Sequence, residues 1–464
     1  MKRLIHFILC GLVITGTVSC KKYLEIVPKG QKIPQTFEDY QALVESSDAH
    51  VFDYDKQNMI ANDFYLLASA QITVNLSSIN FNWKEASDRV QYTVDDGGYN
   101  AAYKGIFVYN VLVNNVKNAT TGTQADKDRL IAQAKVGRSM LYFYLITSYA
   151  KMYDPATAAT DPGVFLNTSD NMEATMKQVS VKEMYDFILN DLNEALPFLP
   201  EKPVDAFFAG KGAGYALLSR VHLFMKDYAS AATFAEEALK QNSALFDYVN
   251  YYNENKVLAD GSATSINIPR YEFKNPENYN FNYGSQYMRS QGMYLSMLRN
   301  SDSTQYDKGD ARLKVNYVNV MFGIEKIWAY RRLDDVNAAG IRTPEMYYIK
   351  AECLARAGKY ADAMSALNTV RRKRIIPAFY TDVTASNLND AIALIRREFK
   401  CEYRGTGMVY LDLRRFNNDL QFKATVTKKE GEVTYSITPE SHIWIMPFSL
   451  NAMAHSEGLI QNSK

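Results

Sequence analysis

The sequence predicts a mainly α fold: paired helical hairpins forming a scaffold, long irregular insertions between them, and a little β structure. Three observations carry this. A helical hairpin pattern occurs twice, about 132 residues apart. Helical spacing of apolar residues runs almost unbroken from Tyr99 to Tyr149. Two stretches, 51–100 and 246–342, are rich in Asn and aromatics and have no sustained period of either kind.

The hairpin is clearest from Met346 to Arg372. Tyr347, Ala351 and Leu354 share one helical face, Gly358 breaks the helix, and Tyr360, Ala363 and Leu367 continue on the next. The earlier copy has Tyr215, Ser219 and His222, a break near Lys226, then Tyr228, Ala231, Ala235 and Ala238. Small residues on both helices permit close approach, and the tyrosine after the turn wedges between them. This is tetratricopeptide-like, a unit whose regular period is about 34 residues. Two copies this far apart read as units of a scaffold with large insertions, not as a regular array.

Taken in order, residues 1–19 are a secretory leader: Lys2 and Arg3, an apolar run from Leu4 to Val18, and small residues before Cys20. A cysteine at the cut point is placed for acylation, and several acyl chains would hold the protein on a membrane. Pro28, Gly30 and Pro34 exclude a helix from the start of the mature chain, so 20–36 reads as a tether. Thr36 caps a short helix through Phe37, Tyr40, Leu43 and Val44. Helices follow from Tyr99, from the polar turn at Thr120–Thr123 to Tyr149, and from Val179 to Leu196, where Pro197 and Pro200 end the last. After the second hairpin, Leu388 to Tyr403 is helical. Val426 to Ile437 alternates around Glu430-Gly431 as a β-hairpin, and Ile443 to Pro447 is an apolar end to the core. Residues 20–464 are expected to form a single domain.

Charge narrows the function. The 52 Lys+Arg and 51 Asp+Glu become 50 and 51 once the leader's Lys2 and Arg3 are removed, a balance that gives no electrostatic case for nucleic acid. The mature histidines, His50, His222, His442 and His455, are scattered, so no metal site and no cofactor is expected. Gly210-Lys211-Gly212-Ala213-Gly214 lacks the Gly-Lys-Ser/Thr ending of a phosphate loop and reads as the entry to a hairpin. Asp95-Asp96-Gly97-Gly98 reads as a turn before a helix. The charge-dense segment Glu398 to Arg415 reads as a buried ion network joining the last helix to the scaffold. Cys353 and Cys401 are expected as two separate thiols.

Several short segments, none specific alone, occur in an order that resembles the SusD/RagB family of outer-membrane nutrient-binding lipoproteins. They are Cys20 with Tyr23-Leu24-Glu25 and Pro28; Tyr103 with Asn110; Arg138, Tyr142, Tyr144 and Tyr149; and Asp310-Ala311-Arg312. Arg342 to Glu352 follows, then Glu398 to Glu402 with Asp412-Leu413 and Arg415-Phe416, then Ile445-Met446-Pro447 and Gln461-Asn462. Ser463 stands where the family has a proline. The resemblance implies a non-enzymatic protein on the cell surface, anchored to the outer membrane through Cys20. Such a protein grips an oligosaccharide or a peptide and passes it to a TonB-dependent transporter of the SusC type. A secreted glycan-degrading enzyme, or a scaffold protein that binds nothing, are the competing classes.

Sugar sites need flat aromatic faces for C–H surfaces and amides or charges for hydroxyls. Two stretches outside the periodic helices have that mixture. One is Asn80-Phe81-Asn82-Trp83, supported by Asn62 and Asp63. The other runs from Tyr279 through Tyr283 to Tyr287 and Arg289. The expected ligand residues are Asn62, Asp63, Asn82, Trp83, Tyr279, Tyr283, Tyr287 and Arg289, with Trp83 and Tyr283 on one cleft.

Overall fold

The computed structural model describes residues 34–45, 50, 52–62, 71–171, 173–261, 274–284, 297–298, 303–322, 325–331, 337–430 and 432–463. The leader, Cys20 and the tether up to residue 33 lie outside them.

The fold is mainly α. Thr36 caps α1 (Phe37–Val44) through a reciprocal pair with Asp39. The stretch read as irregular holds two short helices, α2 (Asp55–Ala61) and α3 (Leu76–Phe81). Each is under two turns, too short for a helical period to show in sequence. Asp96 caps α4 (Gly97–Asn115), accepting from the amides of Gly98 and Tyr99, as the turn reading of Asp95–Gly98 expects. In α5 (Gln124–Tyr149) every residue from Arg138 onward is buried, so this helix is the axis of the core. A strand pair, β1 (Pro162–Leu166) and β2 (Lys177–Ser180), leads into α6 (Val181–Ala195).

The first hairpin is α7 (Lys211–Phe224) and α8 (Tyr228–Gln241), and Lys226 turns the chain between them at φ +64°. The insertion contributes α9 (Tyr248–Glu254), α10 (Lys256–Asp260), β3 (Asn278–Asn280), β4 (Met297–Leu298) and α11 (Ala311–Asn316). It continues with β5 (Tyr317–Phe322) and β6 (Glu325–Tyr330), then β7 (Ile341–Arg342), which pairs with β3. The second hairpin is α12 (Thr343–Arg356) and α13 (Tyr360–Arg371), with Gly358 at φ +76° between them. Then follow α14 (Leu388–Tyr403), α15 (Met408–Asn417), the hairpin β8 (Val426–Glu430) and β9 (Val433–Ile437), and α16 (Leu450–Ala454).

The two hairpins lie side by side. α8 packs on α7 in its own unit and on α12 of the other, so α4 to α8 continue into α12, α13 and α14 as one row of packed helices. Ala231, Ala235, Ala238, Ala351 and Ala363 have no exposed surface, and the Ser219 hydroxyl donates to the Ala231 carbonyl across the first hairpin at 2.8 Å. Tyr228 also reaches the second hairpin, where the Arg356 guanidinium lies 4.4 Å from its ring centre. Separation in sequence reflects looped-out chain, not separation in space.

The insertion is fastened by arginine–carboxylate pairs. Glu402 on α14 accepts from Arg312 of α11, Arg342 of β7 and Arg374 after α13; Glu398 accepts from Arg312 and Arg371; Glu277 accepts from Arg342 and Arg374. Burial alone would raise the Glu402 carboxyl, but the three guanidiniums outweigh it and hold it far below the usual carboxylate range. Cys353 and Cys401 are free and buried, and burial pushes each thiol up to about 12.

Candidate functional site

The first expected ligand stretch is folded inward. Phe81, Asn80 and Asn82 sit at the end of α3, and Trp83 takes a left-handed backbone, φ +48°, that turns its indole under α2. There the indole N–H donates to the Ile60 carbonyl at 2.8 Å. The rings already hold a cation. The Lys428 ammonium, reaching in from β8, lies 3.5 Å from the Phe81 ring centre, 4.9 Å from Trp83 and 5.5 Å from Tyr435. It donates to Asn62 Oδ1 at 2.7 Å and to the Phe81 carbonyl. Trp83 is only 4 % exposed. Asn62 and Trp83 thus hold the protein's own lysine between them, and Asn82 is buried beside them in sequence. Asp63, Tyr287 and Arg289 lie outside the described residues.

The second stretch splits in two. Tyr279 is core: its hydroxyl donates to the Asn242 carbonyl at 2.5 Å, and its ring lies so close to Gly212 that a Cβ there would sit 2.8 Å away. This accounts for one glycine of the Gly210–Gly214 run. The alternating asparagines are also structural. Asn337 donates to Asn278 Oδ1 and the Asn280 carbonyl, and accepts from the amides of Asn282 and Gly340. Asn280 Oδ1 accepts from the Ile341 amide at 2.8 Å.

Tyr283 is different. Its backbone exchanges hydrogen bonds with the 50–52 segment, its N–H to the His50 carbonyl and its carbonyl from the Phe52 N–H. Its half-buried ring stands 5.7 Å from Phe207 at 34° and 5.0 Å edge-on from Phe281. Phe207, also half-buried, meets His50 edge-on at 5.3 Å. Behind these rings a cavity of about 20 Å³ lies among His50, Gln133, Gly137, Met140, Asn280 and Asn282, room for one water. Tyr283 packs with Phe207 and Phe281, whereas Trp83 packs with Lys428 and donates to Ile60.

His50 organises this corner. Its Nε2 is 2.6 Å from the Val44 carbonyl, which only accepts, so Nε2 carries the proton. Its Nδ1 faces the Asn282 amide at 3.2 Å. Burial lowers the His50 pKa, against smaller opposing effects from Val44, Asn282 and Asp205. The atom at Nδ1 is Asn282 Oδ1, an acceptor that this nitrogen can engage only when the ring carries both protons. Phe207 and His50 escaped the sequence reading. The signal for Phe207 was there: consecutive phenylalanines in a proline-rich loop, outside any helical period. Half-buried rings backed by amides suit the C–H faces and hydroxyls of a sugar. Among the described residues no group of His, Cys, Asp and Glu is placed to hold a metal ion.

Comparison with known proteins gives a consistent result. Residues 22–223 match a SusD-like protein-family model described as starch-binding and associating with the outer membrane, and residues 242–464 match the SusD family model. A SusD-like protein from Bacteroides ovatus is 23% identical over 271 residues, which is 51% of this chain and 46% of the relative, so the match spans less than half of that relative's length. Solved structures of similar shape include a SusD superfamily protein from Bacteroides thetaiotaomicron, 18% identical, covering 92% of this chain and 100% of that one at a TM-score of 0.70. Another is a putative sugar binding protein from Bacteroides vulgatus, 17% identical over 93% and 99% at a TM-score of 0.67. A third is surface glycan-binding protein A from Bacteroides uniformis, 17% identical over 92% and 99% at a TM-score of 0.65. At these identities the structural likeness speaks for the fold.

Proposed function

Since the chain belongs to the SusD/RagB family, we propose that it is a lipid-anchored outer-membrane protein that captures an oligosaccharide and passes it to a TonB-dependent transporter of the SusC type. The observation that carries this reading is the pair of family matches, which follow one another along almost the whole chain. The ring pair Tyr283–Phe207, with amides behind it, supports a sugar as ligand. Cys20, at the end of the leader, supports the anchor. No helix among the described residues is long and apolar enough to cross a membrane.

In this reading the protein binds its glycan and leaves it unchanged. Affinity electrophoresis against a panel of polysaccharides should show retardation by at least one of them, with no reducing ends released. Released product would make it a hydrolase, and no retardation by any glycan would remove the binding function. Cys20→Ser should leave the protein soluble or uncleaved and free of labelled palmitate. A variant that still takes up the label and fractionates with the outer membrane would contradict the anchor.

A further inference from the structure

A second concave surface adjoins the Tyr283 corner at Gln133, which lines both, and runs between α1, the first turns of α5 and the loop joining α6 to α7. It is a groove of about 150 Å³. We propose that it is a binding site for an acidic oligosaccharide, taking the sugar rings against its apolar walls and a carboxylate between Arg129 and Lys202.

The walls are fixed before any ligand arrives. Phe37 forms one side, held by its amide donating to Thr121 Oγ1 at 2.9 Å and by Gly122, whose φ of +81° lets the chain pass where a Cβ would lie 2.8 Å from the ring. Pro203 and Phe208 form the other side. Gly210 pins their loop, since a Cβ there would fall 2.8 Å from Pro203 and 2.9 Å from the Pro200 carbonyl. At the floor, the Gln133 amide nitrogen is engaged by the Ala209 carbonyl at 3.1 Å. Preorganised walls reduce the ordering cost of binding.

Charge selects the ligand. The lining contains two cations, Arg129 and Lys202, and no acid. Among the described residues Arg129 pairs only with Asp126 on its own helix, with 40% and 32% of the two side chains exposed, an arrangement too wet to neutralise it strongly. Lys202 makes no ion pair among the described residues. Val204, on the same rim, is 93% exposed, an apolar side chain that a ring face would cover. The carbohydrate half of this assignment rests on the function proposed above, and the acidic half rests on the groove alone.

Trigalacturonate and its fully methyl-esterified form, titrated calorimetrically into the mature protein, test it. The acid should bind at least about tenfold more tightly than the ester, and the difference should shrink as salt rises. Arg129→Gln with Lys202→Gln should abolish that preference at an unchanged melting temperature, whereas Tyr283→Ala should leave it intact. Equal binding of acid and ester, or a double variant that keeps the preference, overturns the site. An acidic proline-containing peptide that binds where trigalacturonate does not would overturn the carbohydrate assignment. Loss of neutral-glycan retention in Tyr283→Ala, with trigalacturonate binding kept, would show two sites. Trigalacturonate binding that depends on Arg129 and Lys202, in a protein that retains no neutral glycan, would uphold the groove and reject the Tyr283 corner.

Discussion

Asn80-Phe81-Asn82-Trp83 and Tyr279-Asn280-Phe281-Asn282-Tyr283 have nearly the same composition and opposite fates. In the first, the rings close around Lys428 and the indole N–H is spent on Ile60. In the second, the asparagines are spent on β3, β7 and Asn337, while Tyr283 ends half-buried beside Phe207. Composition brought rings and amides to both places. What separates them is what fills the space in front of the rings, and that is decided by chain remote in sequence: Lys428 comes 347 positions after Phe81.

The comparison breaks first at Trp83. Its indole packs beneath α2, so Trp83→Ala should lower stability by about 3–5 kcal/mol, read by chemical denaturation, with glycan affinity unchanged in the folded fraction. Lost affinity at full stability would return Trp83 to the binding surface. Lys428→Ala removes the cation from between three rings and should lower stability by about 2 kcal/mol. An unchanged denaturation midpoint would mean that the ring cluster does not depend on its lysine.

The smallest effect sharpens the other side, where a histidine titrates. Burial depresses the folded pKa of His50 below its unfolded value of about 6.5. As pH falls past that value the unfolded chain takes up a proton that the fold resists, so stability declines until the folded pKa is reached. Melting temperatures between pH 7 and pH 5 should therefore fall less steeply in His50→Gln than in the wild type. Parallel curves would show that His50 titrates alike in both states.

Much of the scaffold was legible because its rules are local. Gly358 marks a left-handed turn, and the alanines at 231, 235 and 238 and at 363 mark close helix approach, all of them buried without exposed surface. The helix Leu388–Tyr403 has the boundaries its pattern predicts. The charge-dense segment beginning at Glu398 does form a buried network, because acids and arginines at helical spacing inside a core must find each other. What was not legible depends on long-range packing. The stacking of α8 on α12 needs the insertion looped out, and the cation against Trp83 comes from the remote Lys428. Phe207 becomes a ring partner only when β3 brings Tyr283 beside it.

The central claim is that the second stretch, not the first, meets the ligand. It is tested most directly by measuring glycan affinity and melting temperature together in Tyr283→Ala, with the polysaccharide that the wild type retains. The account predicts weakened binding and a melting temperature nearly unchanged, because truncating a half-buried ring removes contact area without opening the core. Wild-type affinity with a large drop in melting temperature would contradict it and make Tyr283 a core residue like Trp83.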